Sequence, residues 1–232
     1  MSNYLYAETK KLFYKKYLYK VEMHNSLNQI FRSENQKSKK LDYARDAIDE
    51  LAQSYRNGLP LLRHVYRTTI EIPVEDYLDA KDLYTILKNQ TNYTLRVENG
   101  KNINLYTNDK GIVELVQHKL RSTIALVYKP APGTTHFLNE NNILVETKPE
   151  FPIRVYFKDK KIPPDFANWL RANRDKARIG DKALQTIDDN HNMANFYFHV
   201  RDEKVLSIVQ MLVGHAILNV YNLLYLPPTI DK

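Results

Sequence analysis

No cysteine occurs anywhere in the chain, which excludes disulfides, thiolate metal ligands and thiol catalysis. Glycine is scarce, at 6 residues in 232, and neither a GxGxxG nor a P-loop pattern is present. The usual backbone cradles for nucleotide phosphates are therefore missing. HExxH, HxH and GxSxG are absent too, and the seven histidines (His24, His64, His118, His136, His191, His199 and His215) are scattered. No apolar run approaches the roughly 18 residues of a membrane span. The most apolar stretch, Val205 to Leu226, is interrupted by Gln210, Gly214, His215, Asn219 and Asn222. The opening MSNYLYAETKK has no apolar h-region, so no signal peptide is expected. These absences lead to the expectation of an intracellular, cytoplasmic or virion protein with no cofactor, no metal and no membrane partner.

What is abundant is tyrosine, at 17 residues, with lysine and asparagine also frequent. That bias fits an A/T-rich genome, phage genomes included. A net charge of +7 favours a polyanionic partner, or serves solubility alone. Hydrophobic content of 43% and charged content of 26% are ordinary for a globular chain.

The most telling pattern is an ungapped internal echo. Asp109 to Tyr128 (DKGIVELVQHKLRSTIALVY) matches Asp202 to Tyr221 (DEKVLSIVQMLVGHAILNVY) at a constant offset of 93 residues. Asp109/Asp202, Val116/Val209, Gln117/Gln210, Ile124/Ile217, Val127/Val220 and Tyr128/Tyr221 are identical. Each copy reads as a helix capped by its aspartate, then a strand ending in Val-Tyr. A second echo, Ile72-Pro73-Val74-Glu75 against Ile162-Pro163-Pro164-Asp165, marks a helix start in each half.

Around these echoes the pattern predicts two tandem ferredoxin-like domains (βαββαβ, the split βαβ plan), each an antiparallel sheet with helices on one face, behind an α/β N-terminal extension. The extension is residues 1–66. Within it, Tyr4 to Met23 reads as a helix passing into a strand, and Ser33 to Lys40 as a loop. Asp42 to Arg56 reads as a helix with the stripe Tyr43, Ala44, Ala47, Ile48, Leu51 and Tyr55, stopped by Gly58. Domain one, 67–129, takes Arg67 to Ile72 as its first strand, then a helix over Val74 to Lys88. Strands at Tyr93 to Glu98 and Ile103 to Asn108 follow, joined by an Asn99-Gly100 turn, and the first echoed helix and strand complete it. A proline-rich connector with a PAPG turn spans 130–152, with a short hairpin at Ile143 to Glu146. Domain two, 153–232, has strands at Ile153 to Phe157 and Phe196 to Arg201, a long helix from Pro164 that breaks near Gly180, a loop at Asp188 to Asn192, and the second echoed pair.

Strand alternation then singles out one surface. IRVYFK and FYFHVR send Ile153, Val155, Phe157, Phe196, Phe198 and Val200 toward the helices. The opposite face carries Arg154, Tyr156, Lys158, Tyr197, His199 and Arg201, with no acid among them. Tyrosines that stack on bases and cations that pair with phosphates are what a single strand of RNA or DNA requires. The same residue types also suit a protein interface. The matching face of domain one (Arg67, Thr69, Glu71, Asn104, Tyr106, Asn108) is much less basic and suits packing against protein. Lys15 and Lys16, in the Tyr/Lys-rich segment from Lys10 to Lys20, are further nucleic-acid-binding candidates. That segment equally reads as an amphipathic helix docking its tyrosines, with lysine stems covering apolar surface. Arg171, Arg174, Lys176, Arg178 and Lys182 read as a solvated face of the long helix.

Two ferredoxin-like domains with a basic face resemble the architecture of CRISPR repeat-processing ribonucleases. The resemblance rests on fold order, and the family's glycine-rich loop near the C-terminus is missing, MLVGHAIL carrying a single glycine. It would imply metal-independent RNA cleavage with His199 and Tyr156 as acid and base. The expected function is non-enzymatic nucleic-acid binding on the second domain's sheet face, with no catalytic residue assigned. The alternative is a structural or assembly protein, such as a phage-particle component that self-associates or binds a protein partner, and the lesser alternative is the endoribonuclease.

Overall fold

A computed structural model describes residues 5–32, 41–65, 67–98, 100–120 and 122–227. The expected loop at Ser33 to Lys40 lies outside them. Among the described residues the chain is a mixed α+β protein with six α-helices and three open sheets. It divides into two compact units, Met1–Thr135 and His136–Lys232. No described helix is long and apolar enough to cross a membrane.

Unit one contains β1 (Leu5–Glu8), β2 (Tyr19–His24), α1 (Asp42–Arg56), β3 (Leu62–Val65), β4 (Thr68–Glu71), α2 (Val74–Leu87), β5 (Tyr93–Val97), β6 (Asn102–Thr107), α3 (Lys110–Lys119) and β7 (Ile124–Lys129). Its main sheet has the order β1-β7-β2-β6-β5, antiparallel throughout except that β1 runs parallel to β7. One core joins Val21 and Met23 of β2, Ile103 and Leu105 of β6 and Val127 of β7 to the buried faces of α1, α2 and α3. Buried Asp79 of α2 accepts from the backbone N–H and hydroxyl of both Ser122 and Thr123, tying the turn before β7 to that helix.

Unit two contains β8 (Asn142–Val145), β9 (Ile153–Phe157), α4 (Pro164–Ala172), β10 (Ala177–Ile179), α5 (Asp181–Asp188), β11 (Tyr197–Val200), α6 (Glu203–Val213) and β12 (Ile217–Tyr225). Its sheet order is β10-β11-β9-β12-β8, again antiparallel apart from β8, which is parallel to β12. A second core packs Ile153, Val155, Phe157, Phe198 and Val200 against α4, α5 and α6. Read from opposite edges, the two five-stranded sheets have the same order: an added parallel strand, then the last, first, third and second strands of the repeat.

The echoed residues occupy equivalent places. Asp109 accepts from the N–H groups of Gly111 and Ile112 at the start of α3, and Asp202 from that of Val205 at the start of α6. Each aspartate satisfies amides that a helix leaves without partners. Val127 pairs with Val21, and Val220 with Val155. Pro73 and Pro163 cap α2 and α4, each preceded by a buried isoleucine, Ile72 and Ile162.

The structure corrects the first strand of unit one. Arg67 to Ile72 does hold a strand, β4, but it pairs only with β3 in a two-stranded hairpin. The central position belongs to β2, which bonds to β6 and β7 and buries Val21 and Met23 completely. Residues 19–24 are thus part of the main sheet rather than an extension, and α1 with the β3-β4 hairpin is inserted between the first strand and its helix. Within α1 the alanines, Ile48 and Leu51 are buried as expected, whereas Tyr43 and Tyr55 point to solvent. Gly58, at φ 64°, supplies the left-handed stop.

Three further local expectations change. The segment before β2 forms strand β1 and then an irregular turn, not a helix. The expected hairpin at Ile143 to Glu146 is the single strand β8. The long helix from Pro164 ends at Ala172, and the second strand of the repeat is β10, ahead of the Asp188 to Asn192 loop rather than replaced by it.

Candidate functional site

The two central strands of unit two alternate as their sequence demands. Phe157 and Phe198 stack on the helix side with centroids 5.0 Å apart. That packing fixes both strands, so Arg154 and Tyr156 of β9 and Tyr197 and His199 of β11 are turned to the opposite face. Pairing sets them in two rows. Tyr197 lies opposite Tyr156, and His199 opposite Arg154. The second row continues to Arg178 of β10 on one side and Tyr221 of β12 on the other.

Within this patch the Arg154 Nε donates to His199 Nε2 at 3.0 Å, and its guanidinium carbon lies 4.7 Å from the Tyr197 ring centre. Tyr156 sits 5.3 Å from Tyr197, tilted at 48°, and 5.7 Å from Tyr221, edge-on. Tyr197 also meets His199 edge-on at 5.3 Å. Burial, then Arg154, then Arg178, push the His199 pKa down to about 4. The imidazole is therefore neutral at pH 7, with its proton on Nδ1 and the Nε2 lone pair given to Arg154. Such a group is a weak general base near neutrality. Burial, reinforced by Tyr156, raises the Tyr221 phenol above its ordinary value.

Lys158 and Arg201 flank the patch. Lys158 follows β9 directly, and its Nζ donates to the His215 carbonyl at 3.1 Å. Arg201 follows β11, exposed, with its backbone N–H bonded to Lys176. Among the described residues, none of Arg154, Lys158, Arg178 and Arg201 pairs with a carboxylate. Tyr197 is 41% exposed, so an aromatic edge is open beside these cations.

The equivalent face of unit one is closed by its own chain. Lys20 of β2 lies opposite Tyr106 and Tyr128, the register that Arg154 shares with His199 and Tyr221. Above it the Phe13 to Tyr17 turn lays Phe13 edge-on to Tyr128 at 5.4 Å and Tyr14 edge-on to Tyr106 at 4.9 Å. Tyr17 bonds Thr94 at 2.7 Å and Arg96 donates to the Tyr14 hydroxyl at 2.7 Å. Tyr106 and Asn104 are buried beneath it, as the weakly basic composition of that face suggests, whereas Arg67, Thr69 and Glu71 belong to the hairpin segment instead. Lys15 and Lys16 stand exposed at the tip of this turn, which belongs to unit one, whereas the β9-β11 patch belongs to unit two.

No protein-family model, no curated protein and no solved structure matches this chain. The site therefore stands on its own geometry. That geometry joins Arg154, Tyr156, Tyr197 and His199, sets Lys158 and Arg201 at the strand ends, and adds two residues the sequence reading missed. Arg178 reads as helical in the sequence, because three residues of strand carry no readable periodicity. Tyr221 was visible in the echo but not as a neighbour of Arg154. No group of three or more His, Asp or Glu residues able to hold a metal is found among the described residues.

Proposed function

We propose that the chain consists of two tandem ferredoxin-like units and is a non-enzymatic protein that holds single-stranded RNA or DNA on the sheet face of unit two that points away from its helices. The last-first-third-second strand order, repeated in both halves with the helices on one side, supports the fold reading. A single observation carries the functional reading: Arg154 and Arg178 share a sheet face with tyrosine rings, Lys158 and Arg201 follow at the strand ends, and none of the four has a carboxylate partner among the described residues. Bases stack on Tyr197 and Tyr156, and phosphates meet Arg154, Arg178, Lys158 and Arg201.

Lys158→Glu combined with Arg201→Glu tests the rim of this surface. Both residues lie at strand ends and outside the core, so the fold is retained. Affinity for oligothymidylate, followed by fluorescence anisotropy, falls about tenfold, and the salt dependence becomes shallower by about one unit of log–log slope. Unchanged affinity and slope would remove these two residues from the surface.

The second reading is an assembly protein that associates with copies of itself. The outer side of α6 favours it, exposing Ile208, Met211 and Leu212, with Met211 80% open to solvent. A nucleic-acid-free multimer that Met211→Lys disperses would support that reading over binding.

A further inference from the structure

The cross-strand row Arg178–His199–Arg154 contains a feature that ordinary phosphate contacts do not need. His199 is paired across neighbouring strands with Arg178 on one side and Arg154 on the other. Neighbouring strands lie about 4.8 Å apart, so the two arginine backbones are separated by about 10 Å, with His199 midway. The guanidinium of Arg178 makes no hydrogen bond or ion pair among the described residues. Among the described residues Arg154 hydrogen-bonds protein only through its Nε, which leaves both terminal nitrogens as donors for an incoming group.

We infer that Arg178, His199 and Arg154 together form the phosphate seat of this face, and that His199 takes up a proton when a phosphodiester enters. This rests on the nucleic-acid reading of the same surface. The charged and titratable groups around the imidazole are Arg154 and Tyr156 on β9, Arg178 on β10, Tyr197 on its own strand and Tyr221 across the row on β12. No carboxylate is among the groups that bias it, and the nearby Asp202 is spent capping α6. In the free protein burial, and then the two guanidiniums, keep His199 neutral. A bound phosphodiester brings one negative charge that partly offsets the two guanidiniums and offers acceptor oxygens. The proton then comes from solvent onto Nε2, which changes from an acceptor for Arg154 into a donor to phosphate. The freed Arg154 Nε turns to the same oxygens. Binding and protonation thus strengthen each other.

Oligothymidylate is the suitable probe, because neither thymine nor the phosphodiester titrates in the working range. Anisotropy titrations at constant salt, from about pH 7.5 to about pH 5, should show wild-type affinity rising about tenfold, approaching the uptake of one proton. His199→Gln removes the titrating group and flattens the profile, whatever its absolute level. An equal rise in both proteins, or a flat wild-type profile, would overturn the inference while leaving the binding surface intact. No oligothymidylate binding by the wild type at any pH would instead sink the nucleic-acid reading itself. Should His199→Gln fold poorly, calorimetry of the wild type at about pH 5.5 in two buffers of different ionisation enthalpy decides the matter. Proton uptake on binding supports the seat, and zero uptake overturns it.

Discussion

Arg154→Glu combined with Arg178→Glu lowers the affinity for oligothymidylate by about 100-fold or more at moderate salt. The two substitutions replace both guanidiniums of the central row with carboxylates. Each removes a charge-assisted phosphate contact and adds a repulsion in its place, and each contact of this kind contributes about 1.5–3 kcal/mol. The effect exceeds that of the rim pair Lys158 and Arg201, because Arg154 sits between the tyrosines and the imidazole while the rim residues stand at strand ends. Arg154 and Arg178 lie on the face away from the core, so thermal unfolding of the double variant stays close to that of the wild type. Arg154→Gln with Arg178→Gln separates lost contact from added repulsion and still costs about tenfold. Wild-type affinity in a folded double-glutamate variant would place nucleic acid elsewhere.

Phe198→Ala gives the largest loss of stability. The ring is fully buried, stacked on Phe157 and edge-on to Phe166 at 5.6 Å. Truncation forfeits its transfer free energy and leaves a cavity that the flanking aromatics can only partly fill, a cost of about 3–5 kcal/mol. Urea denaturation followed by tyrosine and tryptophan fluorescence measures it. Because Phe198 separates Tyr197 from His199 along β11, the same change loosens the patch and weakens binding. A cost under about 1 kcal/mol would mean that the β9-β11 pair is not anchored by this ring.

The sequence made some of this architecture legible, for physical reasons that differ by element. Asp109 and Asp202 were readable as caps because the cap is local chemistry, one carboxylate meeting amides two or three residues on. The Ile-Pro pairs were readable because proline suits a helix start and the isoleucine beside it is buried. The outward set Arg154, Tyr156, Tyr197 and His199 followed from strand alternation alone.

The identity of the first strand in unit one was not legible. RTTIEI has as strong a strand pattern as YKVEMH, and only pairing with β6 and β7, some 80 to 110 residues away in sequence, decides which is central. Which segment closes unit one's face, and in what shape, was hidden as well. Lys/Tyr alternation between Lys10 and Lys20 suggests a helix, whereas Tyr14 and Lys15 adopt left-handed backbone (φ 52° and 57°) to fold the aromatics over Tyr106 and Tyr128. Arg178 was obscured because a run of arginines and lysines between two helices looks continuous until Asn173 and Gly180 interrupt it.

The central claim is that cations without carboxylate partners among the described residues, on and beside the sheet face of unit two, hold a polyanionic strand. Its most direct test is the affinity of the wild-type chain for oligothymidylate between about 50 and about 300 mM salt. With four cations each neutralising a phosphate, the log–log slope should be about −3, at roughly 0.7 per phosphate on a single strand. No binding at the lowest salt, or an affinity that does not change across the series, would contradict the account.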